Sequence, residues 1–300
     1  MRLPEVAADF LRANPLPAPA REGDKQQRGR VLVIAGSVEV PGVALLAGLG
    51  VLRAGAGILQ IATCRSVAPH LGMAMPEAMV VGCVETSSGE IDPSNATRLA
   101  ELASGCDAVL IGPGMMDDDA VGELSSVLME QVVGLAFVRD AAAYTCLRKT
   151  TEVLGKHAGR IVVTPHSGEM AKFLDVERSE VQADPLTAAR RAADRLQSVV
   201  AMKGASTHIV APIGDAWLCD HGSIALATSG SGDTLAGILG GLLARGASPI
   251  LATQWAVYLH GEGGRRLAER GGTFGLLARE IPGEIPMIMQ GLLTHGIGNR

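Results

Sequence analysis

Short runs of β-branched and aliphatic residues alternate with longer Ala/Leu-rich segments along most of the chain, and this alternation sets the first expectation of fold. Val31–Ile34, Ile58–Ala62, Met79–Val84, Ala108–Ile111, Leu135–Val138, Ile161–Thr164, Val199–Met202 and His208–Val210 read as strands. Gly42–Arg53, Asn95–Ala103, Ala120–Glu130, Gly168–Leu174, Thr187–Leu196, Gly232–Ala244 and Ile250–Ala268 read as helices. Strand and helix in strict turn build right-handed βαβ units, so the expected class is α/β with a parallel sheet between helices. Ahead of this pattern, Asn14-Pro15-Leu16-Pro17-Ala18-Pro19 fixes φ at every second residue, and residues 1–24 read as an extended lead-in. No repeat, low-complexity tract or charge run marks a linker, so residues 25–300 read as a single domain.

Composition refines this picture. Hydrophobic residues are 47% and aromatic residues only 3%, so Ala, Val, Ile and Leu must fill the core, and 38 glycines allow close backbone approach. With 26 basic and 31 acidic residues and no basic run, nucleic acid and membrane surfaces are not expected partners. Five widely spaced cysteines match neither a disulfide framework nor a zinc site and read as reduced core residues. Charges at Arg2, Glu5 and Asp9 interrupt any apolar leader, which makes the cytoplasm the default location.

Glycine and polar residues cluster just after the strands, where open α/β sheets bind ligands. Gly36-Ser37, Gly112-Pro113-Gly114, Arg139-Asp140, Thr164-Pro165-His166-Ser167-Gly168-Glu169 and Lys203-Gly204-Ala205-Ser206-Thr207 would share one edge of the sheet. The most informative loop is Thr228-Ser229-Gly230-Ser231-Gly232-Asp233, which opens a helix. Glycines let successive amides converge, and the helix dipole adds to them, which makes an anion site. Asp233 beside such a site could take a proton from an attacking hydroxyl, or it could merely cap the helix. The helix end argues for its charged form. Neither a P-loop nor a dinucleotide fingerprint is present, since Gly112-Pro113-Gly114 runs into Asp117 where a third glycine is needed. Lys203 could neutralise a phosphate with Thr207 as a donor, or be a solvated lysine; His166 could meet substrate or be structural; Glu169 could cap a helix; Asp140 is equally open.

Taken in order, the motifs resemble the ADP/ATP-dependent NAD(P)H-hydrate dehydratases of the ribokinase-like superfamily, over roughly residues 25 to 282. The resemblance rests on Val33-Ile34-Ala35-Gly36-Ser37, Leu52-Arg53-Ala54-Gly55-Ala56-Gly57, Pro76-Glu77-Ala78-Met79-Val80, Ile111-Gly112-Pro113-Gly114, Thr164 to Glu169, Lys203 to Thr207, Gly230-Ser231-Gly232-Asp233 and Tyr258-Leu259-His260-Gly261. It implies a three-layer sandwich around a mostly parallel sheet, and repair of hydrated NADH or NADPH by phosphorylating the hydroxyl and expelling phosphate. It further implies Asp233 as the catalytic base, amides of Gly230, Ser231 and Gly232 as an anion hole, and Lys203, Gly204, Ala205, Ser206, Thr207 and Gly232 along ADP or ATP. Ala44, Gly114, His166 and Asp233 would face the hydrated dinucleotide, and Glu169 would help order Mg²⁺.

Three positions depart from the family pattern. Asp140-Ala141-Ala142-Ala143-Tyr144 stands where the family usually reads Asp-Ala-Asp-Ala-Leu, a family Asn is replaced around Ser223, and a glycine is replaced by Ser229. About 30 residues upstream cannot hold the epimerase domain often fused there. Two rival readings follow: a vitamin-precursor kinase of the same superfamily, which would stop after phosphorylation, and a nucleotide-binding protein without chemistry. Helices rich in small residues also raise the expectation of a homo-oligomer.

Overall fold

The computed structural model describes residues 2–18, 24–149 and 155–294. Its nine strands are β1 (Arg30–Ile34), β2 (Ile58–Cys64), β3 (Ala78–Cys83), β4 (Ala108–Ile111), β5 (Ala136–Arg139), β6 (Ile161–Val163), β7 (Val199–Met202), β8 (Thr207–Val210) and β9 (Ala216–Cys219). They form one sheet in the order β3-β2-β1-β4-β5-β6-β7-β8-β9. Pairings from β3 through β7 are all parallel, whereas β7, β8 and β9 pair antiparallel. The antiparallel end has a simple cause: Met202 and Thr207 are too close in sequence for the dozen or more residues that a parallel crossover needs.

Alternating strand residues feed two cores. Val31 and Val33 pack under the helices Gly42–Arg53, Ser231–Ala244, Pro249–Gly271 and Ile281–Thr294, while Leu32 and Ile34 pack under Ala96–Ala103, Asp118–Gln131, Ser167–Leu174 and Pro185–Leu196. The result is the expected three-layer sandwich. On the first face, two helices meet almost backbone to backbone. A Cβ added to Gly237 would lie 2.1 Å from the Ala47 carbonyl oxygen, and one on Gly50 would lie 2.7 Å from that of Thr234. Glycine costs a helix interior about 1 kcal/mol against alanine, and here the close approach requires it.

The N-terminal residues differ from an extended lead-in. Ala8–Ala13 is a helix with Leu11 fully buried, and Val6 and Leu218 join through backbone hydrogen bonds from Val6 N–H to Leu218 O (2.8 Å) and from Leu218 N–H to Pro4 O (3.0 Å). The Trp255 indole donates to Asn14 O at 2.9 Å. Apolar Val6, Leu11 and Leu16 find partners in the first core, which outweighs the local preference of the proline-rich stretch.

Candidate active site

The loops that follow the parallel strands do meet at one edge. Gly36 N–H donates to Pro113 O (2.8 Å), Gly112 N–H to Ile34 O (3.2 Å) and Lys203 N–H to Pro165 O (2.8 Å), which ties neighbouring loops together. Gly112 adopts φ +120°, and a Cβ there would fall 1.9 Å from Asp140 O, so only glycine lets the β4 and β5 loops pass this closely.

At the centre, Gly230 (φ 85°) turns the chain into the Ser231–Ala244 helix, and no side chain caps it. The N–H groups of Gly230 and Gly232 have no acceptor among the described residues, whereas that of Ser231 is taken by Thr228 O at 3.3 Å. Of the three amides expected to form an anion hole, two are therefore open and that of Ser231 closes the turn. The Ser231 hydroxyl lies 2.9 Å from His260 Nε2, which also approaches Ser231 O at 3.0 Å. Burial pushes His260 down to about 4, so the imidazole is neutral at physiological pH.

Asp233 is half-buried in the first turn of this helix. Burial, then the negative charge of Asp140, pushes its carboxyl up to about 6, against the pull of Lys203. Desolvation and a like charge raise it, yet a carboxyl near 6 is still largely ionised at neutral pH. Lys203 leaves the end of β7 and its Nζ sits 3.2 Å from Asp140 Oδ1. Burial acts to lower the ammonium's value, but Asp140, Glu169 and Asp233 outweigh it and hold it above the usual lysine range. A Cβ on Gly232 would lie 3.3 Å from Lys203 Nζ, so the missing side chain leaves the ammonium beside the open amides.

A cavity of about 760 Å³ opens beside this cluster. Lys203, Gly204, Ala205, Thr207, Ser231, Gly232 and His166 line it, with His221, Ile224, Leu226 and Val257 further along. His221 stacks on Tyr258 (centroids 4.5 Å apart) and meets Glu262 Oε2 at 2.8 Å, which stiffens that wall. The size suits a compact organic ligand.

Other expected site residues lie elsewhere. Ser206 turns its hydroxyl onto Asp220 at 2.6 Å. Ala44 is fully buried in the first core, because its helix packs flush on the Ser231–Ala244 helix. Gly114 (φ +67°) is wedged against Val43, Val40 and Gly36, beyond the cavity lining. Glu169 closes a capping box: His166 Nδ1 accepts from the N–H groups of Gly168 (3.0 Å) and Glu169 (3.2 Å), while Glu169 Oε2 accepts from His166 N–H (2.7 Å). One oxygen of its carboxylate is thus engaged by the backbone, and no group of three or more His, Cys, Asp or Glu side chains that could hold a metal is found among the described residues. The sequence reading also gave no role to Thr164, which binds Asp140, or to His260, which lies inside a quoted motif.

Comparison with known proteins agrees with this architecture. A sequence model described as NAD(P)H-hydrate dehydratase matches residues 31–287. An ADP-dependent (S)-NAD(P)H-hydrate dehydratase from Xanthomonas campestris is 45% identical over 97% of this chain and 98% of its own. The chain spans about half of the bifunctional NAD(P)H-hydrate repair enzymes it also matches, 52% and 53% of two of them. Among solved structures, an ADP/ATP-dependent NAD(P)H-hydrate dehydratase from Bacillus subtilis, co-crystallised with ATP/Mg²⁺, superposes with a TM-score of 0.82 at 31% identity, covering 97% of this chain and 99% of that one. A ribokinase-like superfamily protein from Enterococcus faecalis superposes equally well, with a TM-score of 0.82 at 25% identity over 97% and 96% of the two chains. With its ribokinase-like sandwich and a near full-length match to these sequences, the chain belongs to the NAD(P)H-hydrate dehydratase family.

Proposed function

We propose that this protein dehydrates the hydrated nicotinamide ring of NADH or NADPH at the expense of ADP or ATP. One observation carries the reading: a half-buried carboxylate, Asp233, stands with two unpartnered amides at a helix start whose Ser231 and Gly232 line the cavity together with Lys203, the ammonium that acts on Asp233. Asp233 accepts the proton of the substrate hydroxyl as its oxygen attacks the terminal phosphorus and the bond to the departing nucleotide breaks. The amides of Gly230 and Gly232 and the Lys203 ammonium bear the charge that moves onto the phosphoryl oxygens. The phosphorylated ring then loses phosphate as its nitrogen donates electrons, and the adjacent carbon gives up a proton to restore the double bond. Lys203, Gly204, Ala205, Thr207 and Gly232 run along the nucleotide, and His166 faces the dinucleotide.

The described residues suit magnesium brought by the nucleotide rather than caged by protein, because such a cation keeps several waters and takes phosphate oxygens as ligands. When bound it neutralises phosphate charge. Residues 25–300 act as one catalytic unit in the cytoplasm, assembled as a homo-oligomer; exposed apolar side chains such as Phe274 and Met287 support assembly, and light scattering tests it. Among the described residues no helix is long and apolar enough to cross a membrane. Incubation with chemically hydrated NADH and each nucleotide tests the activity: free phosphate and restored reduced-nicotinamide absorbance are expected, whereas a stable phosphorylated product identifies a kinase and no turnover a binding protein.

A further inference from the structure

Asp140 is the most constrained carboxylate at the site, and no step above uses it. It is 3% exposed at the end of β5, and its Oδ1 accepts from both Thr164 Oγ1 at 2.6 Å and Lys203 Nζ at 3.2 Å. Its backbone is fixed as firmly: Asp140 N–H donates to Ile111 O at 3.2 Å, its carbonyl presses against Gly112, and the next residue, Ala141, adopts φ 48° and ψ −125°. An L-residue in that region is strained and persists only where surroundings impose it. With Ala142 where the family pattern has a second carboxylate, Asp140 carries the only negative charge on this turn.

From this geometry we infer that Asp140 is a positioning residue, which holds the Lys203 ammonium against the glycine loop and sets a fixed negative charge facing Asp233. The inference rests on the proposed activity and deepens it. The charged groups acting on Asp233 are Asp140 from the end of β5, Lys203 from the end of β7 and Glu169 from the Ser167–Leu174 helix. His260, from the Pro249–Gly271 helix, is neutral. Of these, Asp140 is the largest repulsive charge, and it is also the group that fixes where the opposing lysine sits. A single carboxylate therefore fixes the placement of the lysine and adds to burial in opposing the charge of Asp233.

The test is Asp140→Asn, which removes the charge while its amide oxygen still accepts from Thr164, set beside Asp140→Glu, which keeps the charge and displaces it by one methylene. In Asp140→Asn the acidic limb of kcat/KM should move to lower pH by half a unit or more, and KM for the nucleotide should rise several-fold as Lys203 loses its anchor. In Asp140→Glu the limb should stay at the wild-type pH while KM rises. Identical shifts in the two variants, or an unmoved limb in Asp140→Asn, overturn the inference. If the asparagine variant does not fold, Asp140→Ser removes the charge with a smaller side chain and serves the same comparison. A wild-type protein without turnover sinks the proposed activity instead. Carbon-13 NMR of the Asp233 carboxyl still decides this point, since a midpoint unchanged by removal of the Asp140 charge overturns it without any assay of catalysis.

Discussion

Two helices begin at the same sheet edge, each behind a turn rich in glycine and serine, and they treat their free amides in opposite ways. Ser167–Leu174 spends them internally, with His166 and Glu169 forming a reciprocal cap. Ser231–Ala244 has no side-chain cap and leaves the amides of Gly230 and Gly232 open beside a lysine. An unsatisfied helix start is tolerated where a ligand or water completes it. The difference sets the open start of the Ser231–Ala244 helix apart from the His166 turn, whose amides are already taken within the turn.

The largest effect expected from disturbing this contrast is on turnover. Asp233→Asn should lower phosphate release by roughly 10²–10⁴-fold, the usual worth of a positioned base, with nucleotide affinity by calorimetry changed little. Wild-type activity should rise with pH through about 6, because the carboxyl must be ionised to accept a proton. A flat rate between pH 5 and 7 would remove Asp233 from the base role.

Next comes the support of the open end. Gly237→Ala drives a methyl into the Ala47 carbonyl, and overpacking of this kind costs about 1–3 kcal/mol, more than the roughly 1 kcal/mol gained from helix propensity. A denaturant midpoint at or above wild type would show that the two helices part easily. Smaller is a stability gain in Asp233→Asn. The folded carboxyl titrates near 6 against 3.8 for the free group, so the native state binds the proton more tightly and stability falls as pH rises between those values. Removing the charge should add on the order of 1 kcal/mol at pH 7.5 and nothing at pH 3.5. Equal gains at both pH values would rule out charge burial as the cause.

The smallest effect belongs to the closed end. Glu169→Ala should cost about 1 kcal/mol, a typical capping contribution, while Glu169→Gln, which can still accept from His166 N–H, should stay near wild type in thermal melts. A loss of turnover far beyond the loss of stability would return Glu169 to the chemistry.

Much of this arrangement was legible in the sequence because a parallel sheet sends every strand's exit loop to the same edge. Ala108–Ile111, Val199–Met202 and Gly42–Arg53 fall where periodicity places them. Periodicity missed β9, four residues between two turns with too few positions to show alternation. It also missed the short helices Ala68–Ala74 and Arg178–Ala183, which span barely two turns. At the site, local motifs point to Asp233 and Lys203 and leave the role of Asp140 open, because its partners Thr164 and Lys203 lie 24 and 63 residues away. The upward shift of Asp233 escapes a local reading for the same reason: the helix end is local, whereas burial and the Asp140 charge arise only on folding.

The pairing of Pro4 and Val6 with Leu218 bears on how the molecule can be handled. Strand β9 ends the sheet, and an unprotected margin of this sort invites a neighbouring polypeptide to add itself as a further strand. Residues at the front of the chain occupy part of that margin and, through Asn14, also engage the Trp255 indole. Trimming them for convenience of expression would bare a sticky border and a bulky aromatic together, so a shortened protein should self-associate before it loses its catalytic geometry.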